Sequence, residues 1–290
     1  MSGPRVGYHP ARDDPRGRGG RVGGAVRVLL IDNYDSYTHN LWQQLARLGA
    51  ATPVVIRNDE LTLAALHELV EARDLEAIVI SPGPGHPARP RDFGVCGALI
   101  DATELPLLGV CLGHQGIAWA HGAAIGRAPE PVHGRRSTVL HDGEGLFAGI
   151  PQGFEVVRYH SLAVEPTLPP ALRRTAWTRD GVLMGLVHAQ RPQWGVQFHP
   201  ESIATEHGDR IIENFLTLAR DWHRRSRGRV APPSPRTRAP TPSAPPVAAP
   251  RYPSSPLRHR ELARWVDAAD VFVALYGNAP RAFWLDSAST

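Results

Sequence analysis

The chain contains no lysine; all 32 of its basic side chains are arginine. It has only two cysteines, Cys96 and Cys111. Two cysteines cannot supply a disulfide framework, so an oxidising compartment is not implied. No apolar run reaches the ~18 residues that a membrane-spanning helix requires. The N-terminal arginines are not followed by an apolar stretch of signal-peptide length. These absences point to a cytoplasmic protein with no membrane partner. The net charge of +4 raises the question of nucleic acid. Its distribution answers against it: residues 1–25 carry +3, residues 221–260 carry +8, residues 261–290 carry −2, and residues 26–220 carry −5. An acidic body with basic flanks lacks the basic face that nucleic-acid recognition uses, so no nucleic-acid partner is expected.

What is present is an alternation of apolar runs and amphipathic stretches. Arg27–Ile31, Val54–Ile56, Ala77–Ile80 and Leu107–Val110 read as short buried strands. Between them, Tyr37–Leu48, Leu63–Ala72 and Gly94–Ala102 read as helices, the first placing Leu41, Leu45 and Leu48 on one face and stopping at Gly49. Strand–helix alternation predicts an α/β fold with a doubly wound, mostly parallel sheet. From about residue 123 to 198 the pattern changes to short β-like runs, Ser137–Leu140, Phe154–Val157 and Leu183–His188, which read as a small β-rich insertion. A helix over Asp209–Trp222 closes the domain. The expected organisation is a disordered extension over 1–25, a domain over 26–222, a Pro/Ala/Arg-rich linker over 223–256, and a further piece over 257–290.

Three motifs carry chemistry. In Gly109-Val110-Cys111-Leu112-Gly113-His114-Gln115, a nucleophile stands between an apolar strand and a helix, with a glycine two positions to either side. That is the pattern of a nucleophile elbow with Cys in place of Ser. At a helix N-terminus the dipole favours the thiolate. Cys96, within an apolar helical stretch, reads as core. Ser81-Pro82-Gly83-Pro84-Gly85 follows the third strand, where open α/β sheets bind ligands, and its backbone N–H groups suit an oxyanion hole together with that of Leu112. In Trp194-Gly195-Val196-Gln197-Phe198-His199-Pro200-Glu201-Ser202, a strand presents His199 at its end. In extended chain, residues two apart face the same side, so Glu201 can hold one imidazole nitrogen while the other serves Cys111 as base. A zinc site from Cys111, His160 and His199 is the rival use of these residue types, but no CxxC or HxxxH spacing supports it. No metal is expected in the site.

Together the motifs resemble the class I (triad) glutamine amidotransferases over residues 26–220. Asp32-Asn33-Tyr34-Asp35-Ser36-Tyr37-Thr38-His39-Asn40-Leu41, Pro131-Val132-His133-Gly134, Arg158-Tyr159-His160-Ser161-Leu162 and His199-Pro200-Glu201-Ser202-Ile203 resemble the chorismate-utilising branch, the amidotransferase parts of aminodeoxychorismate synthase and anthranilate synthase. The resemblance implies a flavodoxin-like sheet, with Cys111 as nucleophile, His199 as base and Glu201 as its orienter. It implies an oxyanion and carbonyl site from Gly83, Pro84, Gly85 and Leu112. Gln115, Ser161 and Leu162 would hold the backbone groups of L-glutamine. Ammonia would pass to a chorismate-binding synthase component. Asp270–Gly277 and Ala282–Ser287 resemble the beginning of that component, in the order of fused aminodeoxychorismate synthases, so the ammonia acceptor is expected to be chorismate in the p-aminobenzoate branch, with anthranilate formation as the alternative. No cofactor is expected for glutamine hydrolysis; magnesium belongs to the synthase component. A docking subunit without catalysis is the competing reading.

Overall fold

The structure, a computed structural model, describes residues 24–227. The expectations for residues 1–23 and 228–290 lie outside the described residues. Chain order runs β1 (Val28–Asp32), α1 (Thr38–Arg47), β2 (Val54–Arg57), α2 (Leu63–Ala72), β3 (Ala77–Ile80), α3 (Pro90–Phe93), α4 (Cys96–Ala102), β4 (Leu107–Val110) and α5 (Leu112–Ala120). It continues with β5 (Ile125–His141), a single 3-10 turn at Gly145–Phe147, β6 (Phe154–Val164), β7 (Leu172–Thr178), β8 (Leu183–His188), β9 (Gln193–Val196) and α6 (Gly208–Arg227).

The strands form one sheet in the order β2-β1-β3-β4-β9-β8-β7-β5-β6. From β2 to β9 every neighbour is parallel. From β9 to β6 every neighbour is antiparallel. The order of the parallel half is that of a flavodoxin-like doubly wound sheet. The β-rich segment is not a separate layer inserted beside it: β9 joins it to β4 as the continuing edge of the same sheet.

The side-chain period of two sorts the parallel strands onto two cores. Val28, Leu30, Val79 and Leu108 pack on one face with Leu41 and Leu45 of α1 and Ile211 and Phe215 of α6. Leu29, Ile31, Ile78 and Ile80 pack on the other with Leu66 of α2, Leu99 of α4 and Ile117 of α5. Strands buried on both faces are continuous apolar runs, which is why they stood out in the sequence. Side chains of this size each contribute roughly 1.5–3 kcal/mol when fully buried. Helix α2 starts where Thr62 accepts a hydrogen bond from the Ala65 N–H at 3.3 Å, and α1 gives way to Gly49 at φ 102°.

Several elements differ from their sequence reading, among them β6, which runs to Val164, past the expected Val157. The helix expected over 94–102 begins at Cys96 as α4, and a short helix not expected from the sequence, α3, precedes it, the two separated at Gly94 with φ 49°. A Cβ at Gly94 would lie 2.1 Å from the Asn58 carbonyl oxygen, so the chain must turn there. Helix α6 runs to Arg227, past the expected boundary at 222. The run Ser137–Leu140 is the end of a 17-residue strand, β5. His199 is not at a strand end: β9 stops at Val196, and the His199 N–H donates instead to the Val157 carbonyl of β6 at 3.3 Å.

Candidate active site

Cys111 stands between β4 and α5, with φ 52° and ψ −99°. A non-glycine residue in that region costs on the order of 1–3 kcal/mol and persists only where its surroundings impose it. Here the surroundings do. The Cys111 N–H donates to the Val196 carbonyl at 2.8 Å, and its carbonyl accepts the Gln115 N–H at 3.0 Å. A Cβ at Gly109 would lie 2.4 Å from Gly113 backbone atoms, and one at Gly113 would lie 2.4 Å from the Ile80 carbonyl oxygen. Only glycine at both positions lets strand, turn and helix close this tightly. The first-turn N–H groups of α5, those of Leu112 and Gly113, have no intrahelical acceptor, and Cys111 stands at that helix end as its N-cap residue.

The loop Ser81–Gly85 packs against this turn. A Cβ at Gly83 would meet Asn33 Cβ at 2.5 Å and Leu112 Cδ2 at 3.0 Å. At Gly85, with φ 95°, it would meet the Asp92 carboxylate. A buried polar network holds the loop from behind. Asn33 donates from its backbone to Ser81 Oγ and from Nδ2 to the Ser81 carbonyl, both at 2.9 Å. Asn58 Nδ2 donates to Asn33 Oδ1 at 2.9 Å and to the Asp92 carbonyl at 3.1 Å. Cys96, read as core, is fully buried with its Sγ 3.5 Å from Asn33 Oδ1, and burial pushes its thiol well up. It stays protonated.

His199 Nδ1 and Glu201 Oε1 are 2.6 Å apart and both side chains are buried, brought together by a turn in which the Ser202 N–H donates to the His199 carbonyl at 3.2 Å, and not by the extended chain expected from the sequence. Nε2 makes no hydrogen bond among the described residues. Burial lowers the pKa of this imidazole, but interaction with Cys111 and then with Glu201 outweighs it and holds His199 well above the ordinary histidine range. The rings of Tyr159 and Tyr37 stand edge-on to His199, with centroids at 5.2 and 5.6 Å. The turn after His199 is bolted to β6 by Thr205, whose Oγ1 donates to the His199 carbonyl at 2.7 Å and accepts the Val157 N–H at 3.0 Å. A cleft of about 660 Å³ opens beside Glu201, between Tyr37, Tyr159 and Ser202, with Ile203 fully exposed at its lip.

The expected glutamine-holding residues also converge. Gln115 Nε2 donates to the Leu162 carbonyl and to Gln197 Oε1, both at 3.0 Å. Gln197 Nε2 lies 3.6 Å from Cys111 Sγ. Leu162 is half-buried and Ser161 exposed at the end of β6. His114, next to Gln115, is fully buried against Gly195, and burial brings its pKa down to about 3, so its ring is neutral. Sequence reading attached no role to Asn33, Asn58, Gln197, Thr205 or Arg158, and weighed His160 only as a zinc ligand. Asn33, Gln197, Arg158 and His160 lie inside the quoted motifs, but Gln197 acts through Gln115 of α5 and Cys111, and Arg158 also reaches Ser137 of β5. Among the described residues no cluster of His, Cys, Asp and Glu has metal-site geometry, and no helix is long and apolar enough to cross a membrane.

A strained cysteine at a strand-to-helix elbow, interacting with a buried His–Glu pair and packed beside a glycine loop, defines a cysteine-centred acyl-transfer site. Residues 29–219 match the family model of glutamine amidotransferase class-I. The chain belongs to that family. It is 50% identical over 276 residues to an aminodeoxychorismate synthase of Streptomyces griseus, covering 90% of this chain and 36% of that protein. It is 47% identical over 197 residues to anthranilate synthase component 2 of Methanothermobacter marburgensis, covering 66% of this chain and 98% of that one. The chain thus spans about a third of the length of its Streptomyces relative. Among solved structures, a Thermoplasma acidophilum protein described provisionally as part of a GMP synthase is similar at 27% identity and TM-score 0.62, covering 70% of this chain and 98% of that one.

Proposed function

We propose that this chain releases ammonia from L-glutamine through a thioester on Cys111 and passes it to a chorismate-binding synthase component. The observation that carries the reading is the Cys111 elbow standing opposite the His199–Glu201 pair. The thiolate attacks the side-chain amide carbon. The oxyanion forms against the Leu112 N–H and the Gly83–Gly85 loop. His199, held in tautomer by Glu201, gives its proton to the departing nitrogen, and the C–N bond breaks to leave ammonia and the glutamyl thioester. The same imidazole then takes a proton from water, whose oxygen attacks the thioester and frees glutamate and the thiolate. Gln115, Ser161 and Leu162 hold the amino-acid end of the substrate.

Ammonia is a nucleophile only while unprotonated, so a closed route to its acceptor is required. The acceptor we assign is chorismate, giving 4-amino-4-deoxychorismate. Support comes from the relatives named aminodeoxychorismate synthase, at 50% and 49% identity over 90% of this chain. The relatives named anthranilate synthase component 2 match only the amidotransferase part, 66% of the chain, and support the second reading, anthranilate formation. We place the chemistry in the cytoplasm, where a nucleophilic thiol stays reduced.

Glutamate release from glutamine tests the reading, measured with and without a synthase component and chorismate. Cys111→Ala is expected to lose on the order of 10³-fold or more in rate. Equal release by wild type and Cys111→Ala would mean that the chain only docks a synthase. The product formed with chorismate then separates aminodeoxychorismate from anthranilate.

A further inference from the structure

Arg158 is a buried arginine, 4% exposed, that forms no ion pair among the described residues. Its side-chain hydrogen bonds run from Nε to His160 Nε2 at 2.9 Å and from one terminal nitrogen to Ser137 Oγ at 3.3 Å. Burial opposes the charge of this guanidinium, and the Asp180 and Glu130 carboxylates offset it across the cleft they share without an ion pair. The bond to His160 gives the side chain a further use. Arginine can only donate, so His160 Nε2 must be the acceptor and the imidazole must be neutral with its proton on Nδ1. Nδ1 lies 2.8 Å from the Leu162 carbonyl oxygen, which can only accept. The tautomer is therefore set by Arg158 and spent on Leu162. Residues 158, 160 and 162 share one side of strand β6 because its side chains alternate.

The same carbonyl receives Gln115 Nε2 at 3.0 Å, and Gln115 continues to Gln197 and so to Cys111 Sγ. Arg158 begins a hydrogen-bonded path that ends on the nucleophile. We propose that Arg158 and His160 are positioning residues, which hold the Leu162 segment and the Gln115 amide at a set distance from Cys111 and so fix where the amino-acid end of glutamine binds. The inference rests on the glutaminase reading for its substrate. Neither residue touches the reacting atoms.

Two substitutions at one position test it. In His160→Asn the side-chain nitrogen falls near Nδ1 and can still donate to Leu162; in His160→Gln the amide reaches the Nε2 position, where its oxygen accepts from Arg158, and Leu162 is left without this donor. Glutamine affinity is measured by calorimetry on the full chain in the Cys111→Ala background, with KM and kcat for glutamate release in the parent. His160→Gln is expected to weaken Kd and raise KM about tenfold, the loss of one hydrogen bond to a part-buried carbonyl, with kcat within about threefold and an unchanged Tm. His160→Asn is expected to stay within about threefold of the parent on all four. Arg158→Met, which frees the tautomer, is expected to follow His160→Gln in Kd. Equal Kd for the Asn and Gln variants overturns the proposal, as does rescue by Gln and not by Asn, which would mean that His160 serves only to satisfy Arg158. A parent that binds glutamine but releases no glutamate defeats the proposed activity alone, and the Kd comparison still decides the positioning role. A parent that does not bind glutamine overturns both.

Discussion

His199 is held between two groups that favour its charged form, the Cys111 sulfur and the Glu201 carboxylate, against a burial that opposes it. Its folded pKa is raised above the ~6.5 of an unfolded histidine. The folded state therefore binds the proton more tightly than the unfolded state. The stability this contributes is complete below pH ~6.5 and is lost as pH rises through the folded pKa. Melting temperature measured against pH is expected to fall over that upper window in the wild type. Glu201→Gln removes the carboxylate while keeping an oxygen near Nδ1, and is expected to flatten the fall. A parallel curve for the variant would mean that the Glu201 carboxylate does not contribute to the raised pKa. Cys111, His199 and Glu201 were legible because each sits in a short contiguous motif. Asn33, Asn58 and Arg158 were not, because what they do depends on partners 25 to 48 residues away or on a neighbouring strand.

The elbow is an element in which glycine is required by contact rather than by φ alone. Gly113→Ala sets a Cβ 2.4 Å from the Ile80 carbonyl oxygen, backbone against backbone, with no flexible end to move. It is expected to cost ~1–3 kcal/mol, the range for overpacking. Gly97→Ala in α4 meets nothing within 4 Å and is expected to stabilise by ~0.4–1 kcal/mol through the unfolded chain. Urea titration of the two variants checks that the same chemical change carries opposite signs. Strands β3 and β4 were read from the sequence with their structural ends because two-sided burial leaves uninterrupted apolar runs, and α2 was read with its ends as well. Strand β7 escaped because exposed Arg173 and Arg174 stand together and break its alternation. Most of β5 escaped because Gly126, Pro129, Pro131 and Gly134 look like turns, whereas the strand absorbs them at register shifts between Arg127 and Val132 and between His133 and Arg135.

Across the described domain, the sheet changes from parallel to antiparallel at β9 without a break. One hydrophobic core crosses that join: Val28 and Leu30 of β1 belong to the same cluster as Val139 of β5, Val156 of β6 and Met184 of β8. A single continuous core predicts one cooperative transition, with no separate unfolding of the antiparallel half. Hydrogen exchange on the full chain, followed by mass spectrometry, is expected to give β7 and β8 the same opening free energy as β1 and β3. A lower value for β7 and β8 would make the antiparallel edge its own unfolding unit. The site gives this prediction a functional readout, since Cys111 follows β4 in the parallel half while Leu162 lies in β6 at the antiparallel edge. Alkylation of the buried Cys96 in increasing urea reports the global transition, because that thiol becomes reactive only on unfolding. Glutamine affinity and Cys96 protection are expected to be lost at one urea midpoint. Affinity lost first would mean that β6 leaves the sheet while β4 and the nucleophile elbow stay folded.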